Sequence, residues 1–173
     1  DLTIEGNEDL TRYAIDISLL DNGKKPLSAV GTVDVAPQNP QIDLTIALDA
    51  FNLQAFSPFG GEVITNIRGF ATGNARVTGN YKSPNIDGRI DLANSGLTIP
   101  YLNVDFDINN NTPVFISKNA LEIRPTNITD TKYNTVGTLS GSATHSNFGD
   151  WELDMNITTN RLLVLDTPPD EDA

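Results

Sequence analysis

Few side chains in this sequence can do chemistry. There is one histidine, His145, flanked by Ser146 and Asn147, and there is no cysteine. A zinc site needs several spaced His, Cys or carboxylate ligands, which a lone imidazole does not supply. As the base of a catalytic triad His145 would need a nucleophile on a sharp elbow, and no Gly-x-Ser-x-Gly occurs. The residues around it read as a solvated turn. The Asp residues alternate with apolar ones along what read as strands, which puts them on a wet face, and they lack the spacing of a calcium loop. Asn110, Asn127 and Asn156 each open an Asn-x-Thr triplet. Such triplets matter only in a secreted eukaryotic protein. The reactive residues thus predict no enzyme, no metal and no cofactor.

The elements that carry these residues are strands. Tyr13, Ile15, Ile17 and Leu19 alternate with Ala14, Asp16 and Ser18, and Asp21-Asn22-Gly23 then supplies the positive-φ residues of a hairpin turn. Val33 and Val35 continue the pattern. Ile42, Leu44, Ile46 and Leu48 alternate with Asp43, Thr45, Ala47 and Asp49, a half-buried strand. The same reading holds for Ile86, Ile90 and Leu92, for Leu102, Val104, Phe106 and Ile108, and for Trp151, Leu153, Met155 and Ile157. Helix is scarce. Asp49 to Phe56 is expected to form a turn or two stopped by Pro58 and Gly60-Gly61, anchored by Phe51 and Phe56. Glu62 to Ile67 extends it or pairs as a strand. Together they form the one plausible plug.

Composition bounds the partners. Charged groups sum to −12, with 23 acids against 11 bases, over 173 residues. Such a surface repels phosphate backbones, so nucleic acid is not expected as a partner, nor is docking on an anionic membrane through a basic patch. Without disulfides, stability must come from pairing and burial. Residues 1–167 read as one β-rich segment of a longer, repeat-like rod, and 168–173 as a disordered acidic tail. Any export signal or anchor is expected outside this sequence. A weak internal repeat fits the rod. Gly31 to Val35, a turn and Gln41 to Asp49 match Gly137 to Gly141, a turn and Trp151 to Thr158, with apolar returns at Phe51 to Phe56 and Leu162 to Leu165.

A sheet with one apolar face must cover it. Two covers remain open: a closed β-sandwich filled by its own side chains, or a curled trough that holds an apolar guest. In Gly69 to Gly79 one face carries Gly69, Ala71, Gly73, Ala75, Val77 and Gly79, and the other carries Phe70, Thr72, Asn74, Arg76 and Thr78. The small-residue face leaves room for a guest, or else Phe70 covers the glycines of a tightly curved strand.

Gly69-Phe70-Ala71-Thr72-Gly73-Asn74-Ala75-Arg76-Val77-Thr78-Gly79 leads through Ser83-Pro84-Asn85-Ile86-Asp87-Gly88 to Ile90-Asp91-Leu92 and Leu97-Thr98-Ile99-Pro100-Tyr101-Leu102-Asn103-Val104. This succession resembles the TamB C-terminal domain family, the AsmA-like translocation and assembly module proteins, and Asn160 to Thr167 looks like the lead-in to a further such unit. The Asp/Asn-rich loops look like the Bacteroidetes type. The resemblance implies a curled, taco-like, antiparallel-rich sheet open along one side, with an apolar inner groove. It implies part of a protein anchored in the inner membrane and spanning the periplasm in lipid transport and outer-membrane biogenesis. The partners it implies are phospholipid acyl chains, unfolded outer-membrane protein strands and a BamA/TamA-like barrel. The expected groove lining is Ile42, Leu44, Ile46, Leu48, Ile86, Ile90, Leu92, Leu102, Val104, Phe106, Trp151, Leu153 and Met155. The competing expectation is an adhesin-like or carbohydrate-binding sandwich, for which Tyr81, Tyr101 and Tyr133 are the available stacking aromatics.

Overall fold

Alternation of apolar and polar residues along nearly every segment leaves the chain one way to bury its apolar half, which is to line those segments up in register. The computed structural model describes residues 1–36, 38, 40–146 and 149–159. Its strands are β1 (Leu2–Gly6), β2 (Arg12–Asp21), β3 (Lys24–Asp34), β4 (Gln41–Asn52), β5 (Thr65–Asn80), β6 (Asn85–Ile99), β7 (Val104–Ile108), β8 (Thr112–Ser117), β9 (Ala120–Asp130), β10 (Val136–Ser146) and β11 (Gly149–Thr159). All pairings are antiparallel and the eleven strands make one curled sheet, a meander from β1 to β11. The Asn22 and Gly23 backbones, with φ of 48° and 77°, form the β2–β3 hairpin turn as expected.

Registers carry one apolar row from edge to edge. Leu2 faces Ile17, followed across the strands by Ala29, Ile46, Ala75, Gly88, Ile116, Leu121, Ala143 and Leu153. A parallel row runs Leu19, Leu27, Leu48, Gly73, Ile90, Val114, Ile123, Gly141 and Met155. At roughly 4.8 Å per strand the first row is about 43 Å long, measured along the sheet.

Glycines within these rows let the sheet curl. A Cβ on Gly73 would lie 2.2 Å from the Arg89 carbonyl oxygen, and one on Gly31 would lie 2.0 Å from that of Asp43. Only a residue without a side chain tolerates such an approach of the next strand's backbone. Phe70 does not cover these glycines; it lies on the opposite face, where it is exposed.

The lane between β6 and β9 is shared by two strands, β7 beside the end of β6 and β8 beside its beginning. Asn109-Asn110-Asn111 breaks it. Asn111 has φ of 60° and donates its N–H to the Leu92 carbonyl at 2.8 Å, while the Asn110 side-chain oxygen accepts the Asn94 N–H at 2.6 Å. Asn94 is itself in a left-handed conformation at a shift of register. Beyond it Leu97 and Ile99, opposite Phe106 and Val104, take the inner face that Leu92 occupied before it.

The expected helix over Asp49 to Phe56 is displaced. β4 continues to Asn52, and a 3-10 helix follows at Leu53–Phe59, capped by the Asn52 side chain, which accepts the Gln54 N–H at 2.9 Å. Pro58 lies inside this helix rather than ending it. Phe51 and Phe56 do meet, with ring centroids 5.8 Å apart. Of Glu62 to Ile67, the residues from Thr65 onward are strand. A second 3-10 turn, Pro100–Leu102, joins β6 to β7. The repeat segments form the hairpins β3–β4 and β10–β11. Leu162 to Leu165, the lead-in Asn160 to Thr167 and the acidic 168–173 lie outside the described residues.

Two packed clusters hold the inner face at its centre. Val104, Phe106, Ile108, Ile128 and Leu139 form one, joined by Ile99, Leu102, Met155 and Ile157. Ala71, Leu92 and Val114 form the other, with Leu48, Ile90, Ile123 and Leu53 from the 3-10 helix against them. The short helix therefore plugs the sheet over Ala71. On the outer face Arg68 bridges Asp105 at 2.8 Å and Asp107 at 2.6 Å, and Arg76 grips both oxygens of Asp43 at 3.0 and 2.9 Å.

Candidate functional site

The inner face of the sheet is the one large feature that calls for a function. Strand alternation sends most aliphatic residues to one side of the sheet, Val30 of β3 being an exposed exception on the other, and antiparallel register places them next to one another. Among the expected lining residues, Ile42, Leu44, Ile46 and Leu48 of β4, Ile86, Ile90 and Leu92 of β6, and Leu153 and Met155 of β11 all fall on this face. Trp151 lies beyond Leu153 with its ring against that of His145, centroids 4.6 Å apart.

The lining is not uniformly open. Leu92, Val104 and Phe106 are 7, 1 and 5% exposed, so they belong to the packed clusters and present no surface to a guest. The reason is local cover. Leu53 packs into the Leu92 cluster, and Leu102 packs with Val104 and Phe106. At the two margins the face is bare: Leu2, Ile4, Ile17 and Leu19 are exposed on β1 and β2, as are Leu121, Trp151 and Leu153 on β9 and β11. Outer strands have fewer neighbours to lean on, and neither 3-10 helix of the described residues packs against them.

A pocket of about 190 Å³ opens in the inner face near the β11 margin, walled by Val114, Leu121, Ile123, Leu139, Ala143 and Met155 with Gly141 on its floor. Gly141 and Ala143 create the space, since larger neighbours stand on both sides of them in the rows. Of its walls the sequence reading singled out only Leu153 and Met155. Val114, Leu121, Ile123 and Leu139 escaped it, although Val114-x-Ile116 and Leu121-x-Ile123 alternate. Pro113 and Pro125 interrupt those stretches, and proline argues against strand unless it sits at a bulge, as Pro125 does at the register shift of β9.

Two expectations need correction here. His145 is not in a turn. It lies within β10, half-buried, and donates its backbone N–H to the Asn119 carbonyl at 3.0 Å. The sheet is single-layered from β1 to β11, so the closed-sandwich alternative does not describe it. Tyr81, Tyr101 and Tyr133 are exposed at separate connections between strands and do not form one platform.

The two apolar rows carry no charge; Asp130, buried opposite Phe106 at the end of β9, is the exception on this side, and its Oδ1 accepts the Lys132 N–H at 2.9 Å. Arg76 and Asp43 pair on the outer face, where the hydrogen bond from the guanidinium holds the Asp43 carboxyl below its ordinary range. Burial pushes the Asp105 carboxyl up, but hydrogen bonds from Thr131, Arg68 and Thr98 outweigh it and hold that group low as well. Among the described residues no three His, Asp or Glu side chains come together as a metal-binding group. What the arrangement can do is shield apolar matter from water. No protein-family model, curated protein or solved structure matches this chain.

Proposed function

We propose that the chain is a segment of a TamB-like, periplasm-spanning envelope protein, anchored in the inner membrane elsewhere in the molecule, whose curled sheet shields phospholipid acyl chains in transit to the outer membrane. The observation that carries this reading is the apolar row that crosses every lane of the sheet without a charge, from Leu2 to Leu153. A bilayer's hydrocarbon core, two chains end to end, is about 30 Å thick. A row of about 43 Å is therefore longer than any one chain laid along it, as a conduit requires. The role is one of binding, with no bond made or broken.

The edges of β1 and β11, unpaired among the described residues, favour a second reading, in which the guest is an unfolded outer-membrane strand on its way to a BamA/TamA-like barrel. Such a strand pairs with the edge and leaves the groove empty. Native mass spectrometry of the purified chain, with extraction of what travels with it, separates the two. Phospholipid bound to the wild type and lost in Leu153→Asp, with circular dichroism unchanged, supports the conduit. Leu153 is 58% exposed, so a charge there does not break the fold. A bare protein mass, with no uptake of added phospholipid, sinks the conduit reading.

A further inference from the structure

Beyond the inner-face pocket, at one end of β10 and β11, polar and aromatic groups follow directly on the apolar walls. The pocket walls include Leu121, Ala143, Leu153 and Met155. Two residues further along β10 and β11 the stacked pair His145 and Trp151 stands at its rim. The bond from the His145 N–H to the Asn119 carbonyl draws in the tip of the β8–β9 hairpin, where Lys118 is exposed and in no ion pair among the described residues. Asp150, exposed, precedes Trp151. Lys118 thus stands one residue from the Asn119–His145 bond and Asp150 one residue from the stacked indole, beyond the pocket walls Ala143 and Leu153, on a chain of net charge −12.

Resting on the conduit reading above, we infer that this corner is a headgroup subsite for one zwitterionic phospholipid, with its phosphate between Lys118 and His145, its ammonium toward Asp150 and one acyl chain in the pocket. The size fits a single chain. An apolar cavity of about 150 Å³ holds a benzene-sized guest, so 190 Å³ takes a segment somewhat longer than six carbons. The charge fits a zwitterion. The acidic surface repels lipids of net negative charge, so a phosphate is held only beside a local cation and in company with its own ammonium. The indole, apolar with one N–H, suits the boundary between chain and headgroup.

The test uses the full chain and three probes bearing the same fluorescent acyl group: phosphatidylethanolamine, diacylglycerol and free fatty acid. Lys118→Glu is expected to weaken phosphatidylethanolamine about fivefold and to leave diacylglycerol within about twofold. Ala143→Phe, which fills the pocket, weakens both. Lys25→Glu, the same change of charge at the far end of the strands, alters neither. Circular dichroism confirms the fold of each variant. The inference is overturned if Lys118→Glu weakens both lipids equally or neither. It is also overturned if only the fatty acid binds in a Lys118-dependent way. If the lipids bind but ignore Lys118→Glu and Ala143→Phe, the groove stands and the subsite falls. If no probe binds the wild type, the conduit reading fails with it.

Discussion

Ile128 and Leu153 stand on the same inner face of the sheet in opposite circumstances. Ile128 is 1% exposed, packed with Val104, Phe106, Ile108 and Leu139, whereas Leu153 is 58% exposed at the rim of the pocket. Truncating a buried Ile to Ala costs about 2–5 kcal/mol, more where the surroundings cannot collapse. Strand backbones fix the neighbours of Ile128, so Ile128→Ala is expected to cost about 3–4 kcal/mol. Fully burying a Leu is worth about 1.5–3 kcal/mol, and Leu153 has less than half its surface out of water. Leu153→Ala should therefore cost about 1 kcal/mol. With a urea m-value near 2 kcal/mol/M, the midpoint falls by about 1.5–2 M for the first variant and about 0.5 M for the second. Far-UV circular dichroism in urea reads both, and lipid uptake measured alongside should rank them the other way round. Equal midpoint shifts, or a larger one for Leu153→Ala, would refute the division of this face into a packed centre and an open margin.

Stability should also respond to acid. The Asp105 carboxyl is held low in the folded chain, so its contribution is present above the unfolded value of about 4 and lost as pH falls through the folded one. Wild type should thus lose stability more steeply below about pH 4 than Asp105→Asn does, as thermal melts across that range will read. Gly73→Val places a side chain against the Arg89 carbonyl; at least about 2 kcal/mol should be lost, with amide exchange rising first in β5 and β6. On the outer face Phe115 lies 5.8 Å from the Arg89 guanidinium and 4.1 Å from that of Arg124. Phe115→Leu keeps an apolar side chain and loses those contacts, an expected cost of about 1 kcal/mol that should shrink, Arg89 being the farther cation, when Arg124→Gln is already present.

Much of this fold was legible because period-two alternation is a strong signal. Ile42 to Leu48 and Trp151 to Ile157 told both the strand and the face, and the small residues Ala71, Gly73 and Ala75 do take the inner side. What stayed hidden were the places where one backbone unit breaks the period. The left-handed Asn94 moves the inner face from even to odd positions within a single strand, and Ala50 marks the slip that lets β4 run on past the expected helix start. Asn and Ala at such sites look like any other strand residue. The pocket was half-hidden for another reason. Its walls come from β8 to β11, and which residues meet there depends on a register that no one strand encodes.

The meander has a practical consequence for any spectroscopist. Among the described residues each margin strand is held by one neighbour, β11 by β10, while β5 is held on both sides. Local opening in such a sheet runs from the least supported strand inward. The sole tryptophan, Trp151, happens to lie on β11. Its emission is therefore a gauge of fraying at the border. A melt followed by tryptophan fluorescence alone would assign the whole molecule the fragility of its last strand, while amide signals from β5 and β6 still reported an intact interior.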